Sequence, residues 1–179
     1  MLYKYRYTTP KCFSDIILIS DGDKLTGLFF ENSSDTAELA GVFTNEKLPV
    51  FIEASEWLDE YFSGSIPSFM PKYRLDNLTR FRREVFAIMF SIPYGETTTY
   101  GEIAVEIARR RKISKMSAQA VGGAVGHNPL SIVVPCHRVV GANGSLTGYG
   151  GGIKNKFRLL ELEGHDMRKF FVPVRGTAL

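Results

Sequence analysis

Apolar and polar residues alternate from the start of the chain. Tyr3, Tyr5 and Tyr7 are separated by Lys4 and Arg6, the period of two expected of a half-buried strand. The runs DIILIS and LTGLFF follow on either side of Asp21-Gly22. That dipeptide tolerates positive φ at both positions and so favours a tight hairpin turn. From Leu48 the period becomes helical, with Phe51, Ala54, Leu58 and Tyr61 on one face and Gly64 as the stop. Residues 63–78 contain Pro67 and Pro71, show no periodicity and read as a linker.

Beyond the linker the pattern is helical. Phe81, Val85 and Ile88 form one stripe that ends before Pro93-Tyr94-Gly95. Thr99-Tyr100-Gly101-Glu102 has the form of a capping box, which places Thr99 at the N-cap of a helix running through Arg110, with Ile103 and Ile107 on one side. After a turn at 112–116, Ser117 caps a second helix, SAQAVGGAVG. Two helices joined this closely, the first ending in Arg109-Arg110-Arg111-Lys112, fit a helix-turn-helix or a plain helical hairpin. The second helix carries Gly122, Gly123 and Gly126, each costing about 1 kcal/mol relative to alanine. Close approach to DNA or tight packing on a neighbouring helix would account for them.

Composition adds little; the distribution of charge adds more. Over 179 residues, 44% are apolar and 23% charged, as in ordinary globular proteins. No apolar run approaches the ~20 residues needed to span a bilayer, and MLYKYRYTTP lacks the apolar core of a signal peptide. A cytoplasmic protein with no membrane association is expected. The net charge of +3 divides unevenly: residues 1–79 carry 7 basic and 12 acidic side chains, residues 80–179 carry 15 and 7. A basic second half points to nucleic acid or to a solvated basic face.

The two cysteines, Cys12 and Cys136, suit reduced thiols in a reducing compartment. All three histidines lie in the last third, so no zinc cluster forms near Cys12, and neither metal nor cofactor is expected. Cys136 ends an apolar run, Ser131-Ile132-Val133-Val134, within Pro135-Cys136-His137-Arg138, with His127 and Asn128 just upstream. A thiol of pKa about 8.5 needs a nearby base to act as a nucleophile at neutral pH. His137 is a candidate, and an inert buried cysteine beside a core histidine is the other reading.

The stretches Ile92-Pro-Tyr-Gly-Glu-Thr-Thr-Thr-Tyr-Gly-Glu-Ile103, Ala120-Val-Gly-Gly-Ala124, Asn128-Pro129, Val134-Pro-Cys-His-Arg-Val139, Gly148-Tyr149 and Leu159-Leu-Glu-Leu-Glu-Gly164 together resemble the O6-alkylguanine-DNA alkyltransferases, or methylated-DNA–protein cysteine methyltransferases. The resemblance covers nearly all of residues 80–165 in order and spacing. It implies an α+β protein: an N-terminal strand-rich, RNase H-like domain with its linker over 1–78, and a C-terminal mostly helical domain over 79–179 with a winged-helix-like helix-turn-helix. It also implies that Cys136 accepts the alkyl group, once and irreversibly, from O6-alkylguanine in double-stranded DNA. His137 would take the thiol proton through a water, Glu163 would orient His137, Tyr100 would donate a proton to the departing purine, and Asn128 would brace the cysteine loop. DNA and base contacts would fall to Ser117, Gln119, Ala120, Gly123, Arg138, Val139, Tyr149 and Gly150, with the second helix of the pair in the minor groove and the target base flipped out. A monomer is expected; activity on O4-alkylthymine is left open.

Two positions depart from the family pattern. Gln119 stands where many members have an arginine finger, so charge and stacking surface are lost. Gly150 replaces a serine found in some members. Two other classes compete. A lesion-binding protein without chemistry would lack the acceptor cysteine, and a cysteine hydrolase built on Cys136, His137 and Glu163 leaves the basic half and the helix pair unexplained.

Overall fold

A computed structural model of the chain describes residues 1–31, 42–44 and 47–173. The fold is α+β. Two compact units form: one from the residues up to Asp76 together with Pro129–Val133, the other from Asn77–Asn128 and the chain from Val134 onward.

The first unit is a four-stranded sheet carrying one helix. Strands β1 (Tyr3–Tyr7), β2 (Ile16–Ser20), β3 (Leu25–Phe30) and β4 (Val42–Phe43) are ordered β3-β2-β1-β4, antiparallel except for the parallel β1–β4 pair. All five residues of β2 are buried, and the four before Ser20 are apolar, so this strand is a continuous apolar run rather than an alternating one. The turn between β2 and β3 spans 21–24 and is wider than a two-residue hairpin. The Asp21 carboxylate accepts from the backbone N–H groups of Asp23 and Lys24, and Gly22 takes φ +107°. Helix α1 (Pro49–Phe62) buries Val50, Phe51, Ala54, Trp57, Leu58 and Tyr61, a wider face than the four positions read from the sequence. Each large apolar side chain there contributes about 1.5–3 kcal/mol.

The segment read as a linker is not wholly free. The N–H of Leu25 donates to the Lys72 carbonyl at 2.9 Å and that of Arg74 to the Leu25 carbonyl at 2.8 Å, which pins 72–74 to the outer edge of β3. The same edge receives the stretch at Leu130: Leu28 N–H donates to Pro129 O and Ser131 N–H to Leu28 O. Both segments cover backbone groups that an edge strand otherwise exposes.

The second unit is mainly helical. Helix α2 (Arg80–Phe90) starts at Thr79, whose hydroxyl accepts from Arg82 N–H, a cap the hydrophobic pattern did not reveal. Helix α3 (Tyr100–Arg111) has the expected capping box: Thr99 Oγ1 accepts from Glu102 N–H at 3.0 Å, and Glu102 accepts from Thr99 N–H at 2.7 Å. Helix α4 (Ala118–Gly126) is capped by Ser117, and α5 (Ile153–Leu162) closes the unit. Strand β5 (Thr98–Thr99) pairs in parallel with β6 (Val139–Val140), too short a pair to register as a sequence pattern. Val140, Leu146 and Leu160, with Ile153, Phe157, Met167 and Phe170 against them, form a small core at the end of the unit. Among the described residues no helix is long and apolar enough to cross a membrane.

Candidate active site and nucleic-acid face

The β5–β6 pair explains how distant parts of the chain meet. Thr99 lies opposite Val140, so the first turn of α3, with Tyr100, sits beside the strand that follows Cys136. Cys136–Arg138 form a single 3-10 turn after Pro135, with Cys136 N–H donating to Val134 O at 2.7 Å. Cys136 is 4% exposed and His137 is fully buried.

Asn128 holds this turn. Its side-chain amide donates to Val134 O at 2.8 Å and to Cys136 Sγ at 2.9 Å. The first bond ties the chain before residue 129 to the chain after residue 133. The second offers the sulfur a donor, which favours its ionised form. On the other side His137 Nε2 lies 2.7 Å from Glu163 Oε1. The carboxylate accepts, so the proton of the neutral ring sits on Nε2 and the lone pair on Nδ1. Burial pushes His137 below its ordinary pKa despite the counteracting bond to Glu163, so the ring is neutral at neutral pH.

Glu163 is placed by the end of α5, and Gly164 beyond it takes φ +86°, a left-handed stop that suits glycine. Burial works to raise its pKa, but His137 and Arg138 outweigh that and hold the carboxyl well below the usual range. Arg138 was expected among the DNA-contacting residues. Its guanidinium is instead turned inward: Nε donates to Glu163 Oε2 at 2.9 Å, Nη2 to Oε1 at 2.9 Å and Nη1 to the Ile92 carbonyl at 2.8 Å, leaving the side chain 12% exposed.

Sequence reasoning missed Lys156. It lies seven residues before Glu163, on the same face of α5, and is fully buried. Its Nζ donates to Val139 O at 2.6 Å and to Thr147 O at 3.0 Å, and lies 5.8 Å from the ring centroids of Tyr100 and Tyr149. Burial pulls its pKa down to about 8, while negative charge on Cys136 works the other way. Tyr100 donates to the same Thr147 carbonyl at 3.0 Å, and burial, reinforced by the charge on Cys136, raises its pKa well above the ordinary value. The phenol therefore stays a proton donor.

A cleft of about 710 Å³ opens beside these groups, lined by residues that include Tyr100, Gln119, Gly122, Gly123, Thr147 and Gly148. Gln119, Ala120 and Gly123 are exposed on α4. The Ser117 hydroxyl is engaged by Ala120 N–H as a cap. Val139 and Tyr149 are buried, Gly150 is half-buried, and none of the three is among the cleft's lining residues. Among the described residues, packing does not explain Gly123 and Gly126 of α4. A Cβ at Gly123 or Gly126 would meet nothing within 4 Å, and at Gly122 only the Tyr100 ring at 3.9 Å. The basic end of α3 is partly neutralised: Arg109 and Arg110 pair with Glu106, and Arg111 pairs with Glu84. Among the described residues no group of His, Cys, Asp and Glu side chains converges as a metal site.

A buried cysteine and histidine, a buried carboxylate, and a glycine-rich helix beside an open cleft thus lie in one unit of the chain. Residues 80–165 match the family of the 6-O-methylguanine DNA methyltransferase DNA-binding domain. The methylated-DNA–protein-cysteine methyltransferase of Mycobacterium leprae is 41% identical over 152 residues, 85% of this chain and 87% of that one. The crystal structure of Mycobacterium tuberculosis O6-methylguanine methyltransferase superposes with a TM-score of 0.75 at 38% identity, covering 91% and 93% of the two chains. The structure of the Mycobacterium tuberculosis protein in complex with DNA gives 0.70 at 35% identity, covering 97% and 95%. The chain belongs to the methylated-DNA–protein-cysteine methyltransferase family.

Proposed function

We propose that the protein repairs DNA by moving the alkyl group of O6-alkylguanine onto Cys136, one group per molecule. The observation that carries this reading is the bonding of the Cys136 loop. Asn128 donates to the sulfur, and the adjacent His137 is buried, neutral and oriented by Glu163. The thiol proton passes through a water to His137 Nδ1. The sulfur then attacks the alkyl carbon, the C–O6 bond breaks, and its electron pair enters the purine as Tyr100 supplies a proton. The proton taken up by His137 then returns through solvent to the Tyr100 phenolate, so the net change converts thiol and O6-alkylguanine into thioether and guanine. The neighbouring side chains offer no chemistry that cleaves a thioether, so the protein is spent.

The alkylated oxygen lies inside the duplex, so the nucleotide must be extruded, at a cost of a few kcal/mol. The 710 Å³ cleft has the volume for a base, and Gln119 at its rim would occupy the vacated space. The exposed small residues of α4 permit its backbone to approach a minor groove about 6 Å wide. The β3-β2-β1-β4 order supports an RNase H-like N-terminal domain over 1–78, and the α3–α4 pair supports a winged-helix-like C-terminal domain over 79–179. We place the protein in the cytoplasm, acting as a monomer.

The test is stoichiometric. Wild-type protein should remove one O6-methyl group per molecule from duplex DNA and then stop. Cys136→Ala should remove none while still binding DNA with steep salt dependence. Repeated turnover, or removal by the alanine variant, would refute the reading.

A further inference from the structure

Arg138 is the strongest feature of the site that the proposed chemistry leaves without a task. It follows His137 directly, yet it points to the carboxylate that His137 also uses. Three N–H groups are committed: Nε and Nη2 to the two oxygens of Glu163, and Nη1 to the Ile92 carbonyl. The Tyr94 ring lies 5.7 Å from the guanidinium, and Gly95 N–H donates to Glu163 Oε2 at 3.2 Å. The carboxylate is thus gripped by Arg138 and Gly95, with a further approach taken by His137 Nε2. We propose that Arg138 is a positioning residue of the transfer reaction: it fixes both oxygens of Glu163 and offsets their charge, so that His137 remains an uncharged acceptor for the Cys136 proton.

Charge balance in the buried cluster supplies the physical reason. With Arg138 cationic and Glu163 anionic, the neutral state of the cluster contains neutral His137. Without the guanidinium, a low-dielectric interior favours one extra proton on the His137–Glu163 pair, whichever partner carries it. Either placement harms the reaction, because a protonated His137 cannot accept from Cys136 and a protonated Glu163 no longer supports it. Besides Glu163, the charged groups bearing on His137 are Arg138 and Lys156 from α5, and both oppose protonation of the ring; Cys136, in the same turn, is its titratable neighbour. Tyr94 and His165 border Glu163; neither carries charge when Glu163 is ionised at neutral pH, since burial raises the Tyr94 pKa and lowers that of His165.

This inference rests on the proposed alkyl transfer, but it can be judged apart from it. The full-length protein with isotope-labelled histidine is titrated by NMR, with His127 and His165 as internal references. Single-turnover transfer from O6-methylguanine duplex DNA is followed across the same pH range. In Arg138→Met the protonation midpoint of the His137–Glu163 pair, and with it the acid limb of the rate profile, should move up by about one pH unit or more. The alkaline plateau should fall by a smaller factor than the rate at neutral pH, from the loss of the grip on Glu163. Arg138→Lys, which keeps the cation but not the fork, should restore the midpoint toward wild type. A rate lowered by one factor at every pH, with the midpoint unmoved, would overturn the proposal, as would a midpoint displaced toward acid. Should the methionine variant fail to fold, Arg138→Gln is read in the same way. A wild-type protein that transfers no methyl refutes the functional reading instead, while the histidine titration still decides the role of Arg138.

Discussion

Replacing Lys156 by methionine gives a sharp test of the electrostatics around Cys136. The side chain is fully buried, and burial holds its pKa near 8 against 10.5 in an exposed lysine. As pH rises through 8 the folded chain releases this proton while the unfolded chain keeps it until about 10.5. The unfolded state therefore binds more protons in that window, and stability rises with pH. Integrated from about pH 7.5 to about pH 9.5 the gain is about 2 kcal/mol. The methionine side chain does not titrate and lacks this pH-dependent gain. The Lys156→Met variant also loses the donors to the Val139 and Thr147 carbonyls, a pH-independent cost of about 1–3 kcal/mol. Urea unfolding of both proteins at the two pH values, each carrying Cys136→Ser because the Cys136 charge acts on Lys156, isolates the effect, since groups that Lys156 does not bear on cancel in the double difference. A double difference near 2 kcal/mol is expected; one below about 0.5 kcal/mol would show that Lys156 is not held away from its ordinary pKa.

Asn128→Ala removes the donor to both Val134 O and Cys136 Sγ. It should cost about 1–3 kcal/mol in urea unfolding and slow methyl transfer in a quenched single-turnover assay. Glu163→Gln leaves His137 and Arg138 without an anionic partner and should lower the transfer rate by about 10²-fold or more, with DNA affinity by filter binding little changed. Gly123→Ala separates folding from binding. With nothing within 4 Å of the new methyl group, it should raise stability by about 0.5–1 kcal/mol and weaken binding to duplex DNA. Equal or tighter binding would mean that this face of α4 does not approach the groove.

What the sequence made legible was local. The capping box at Thr99, the Ser117 cap and the α1 stripe are rules of hydrogen bonding and periodicity within one element, and they hold in the structure. What it concealed depends on long-range placement. Arg138 reads as a DNA contact because a cationic side chain is normally exposed, and nothing in the local pattern reveals a carboxylate 25 residues later. Lys156 interrupts the apolar face of α5 as a polar residue, and the Val139 and Thr147 carbonyls, with the Tyr100 and Tyr149 rings, make its burial tolerable. The β5–β6 pair is two residues long, yet it brings Tyr100 beside the cysteine loop. The glycines of α4 left two explanations open, and the open space over Gly123 and Gly126 argues against packing on any of the described residues as their cause.

If Cys136 is the permanent home of the alkyl group, the modification must be found on its sulfur. It is read from the mass of the Cys136 peptide after the protein has met one equivalent of duplex DNA containing O6-methylguanine. The expected peptide is heavier by one methylene unit, with the fragment-ion series placing the methyl on sulfur and the Cys12 peptide unchanged. An unmodified Cys136 peptide, in a sample whose DNA has lost its methyl group, would contradict that assignment.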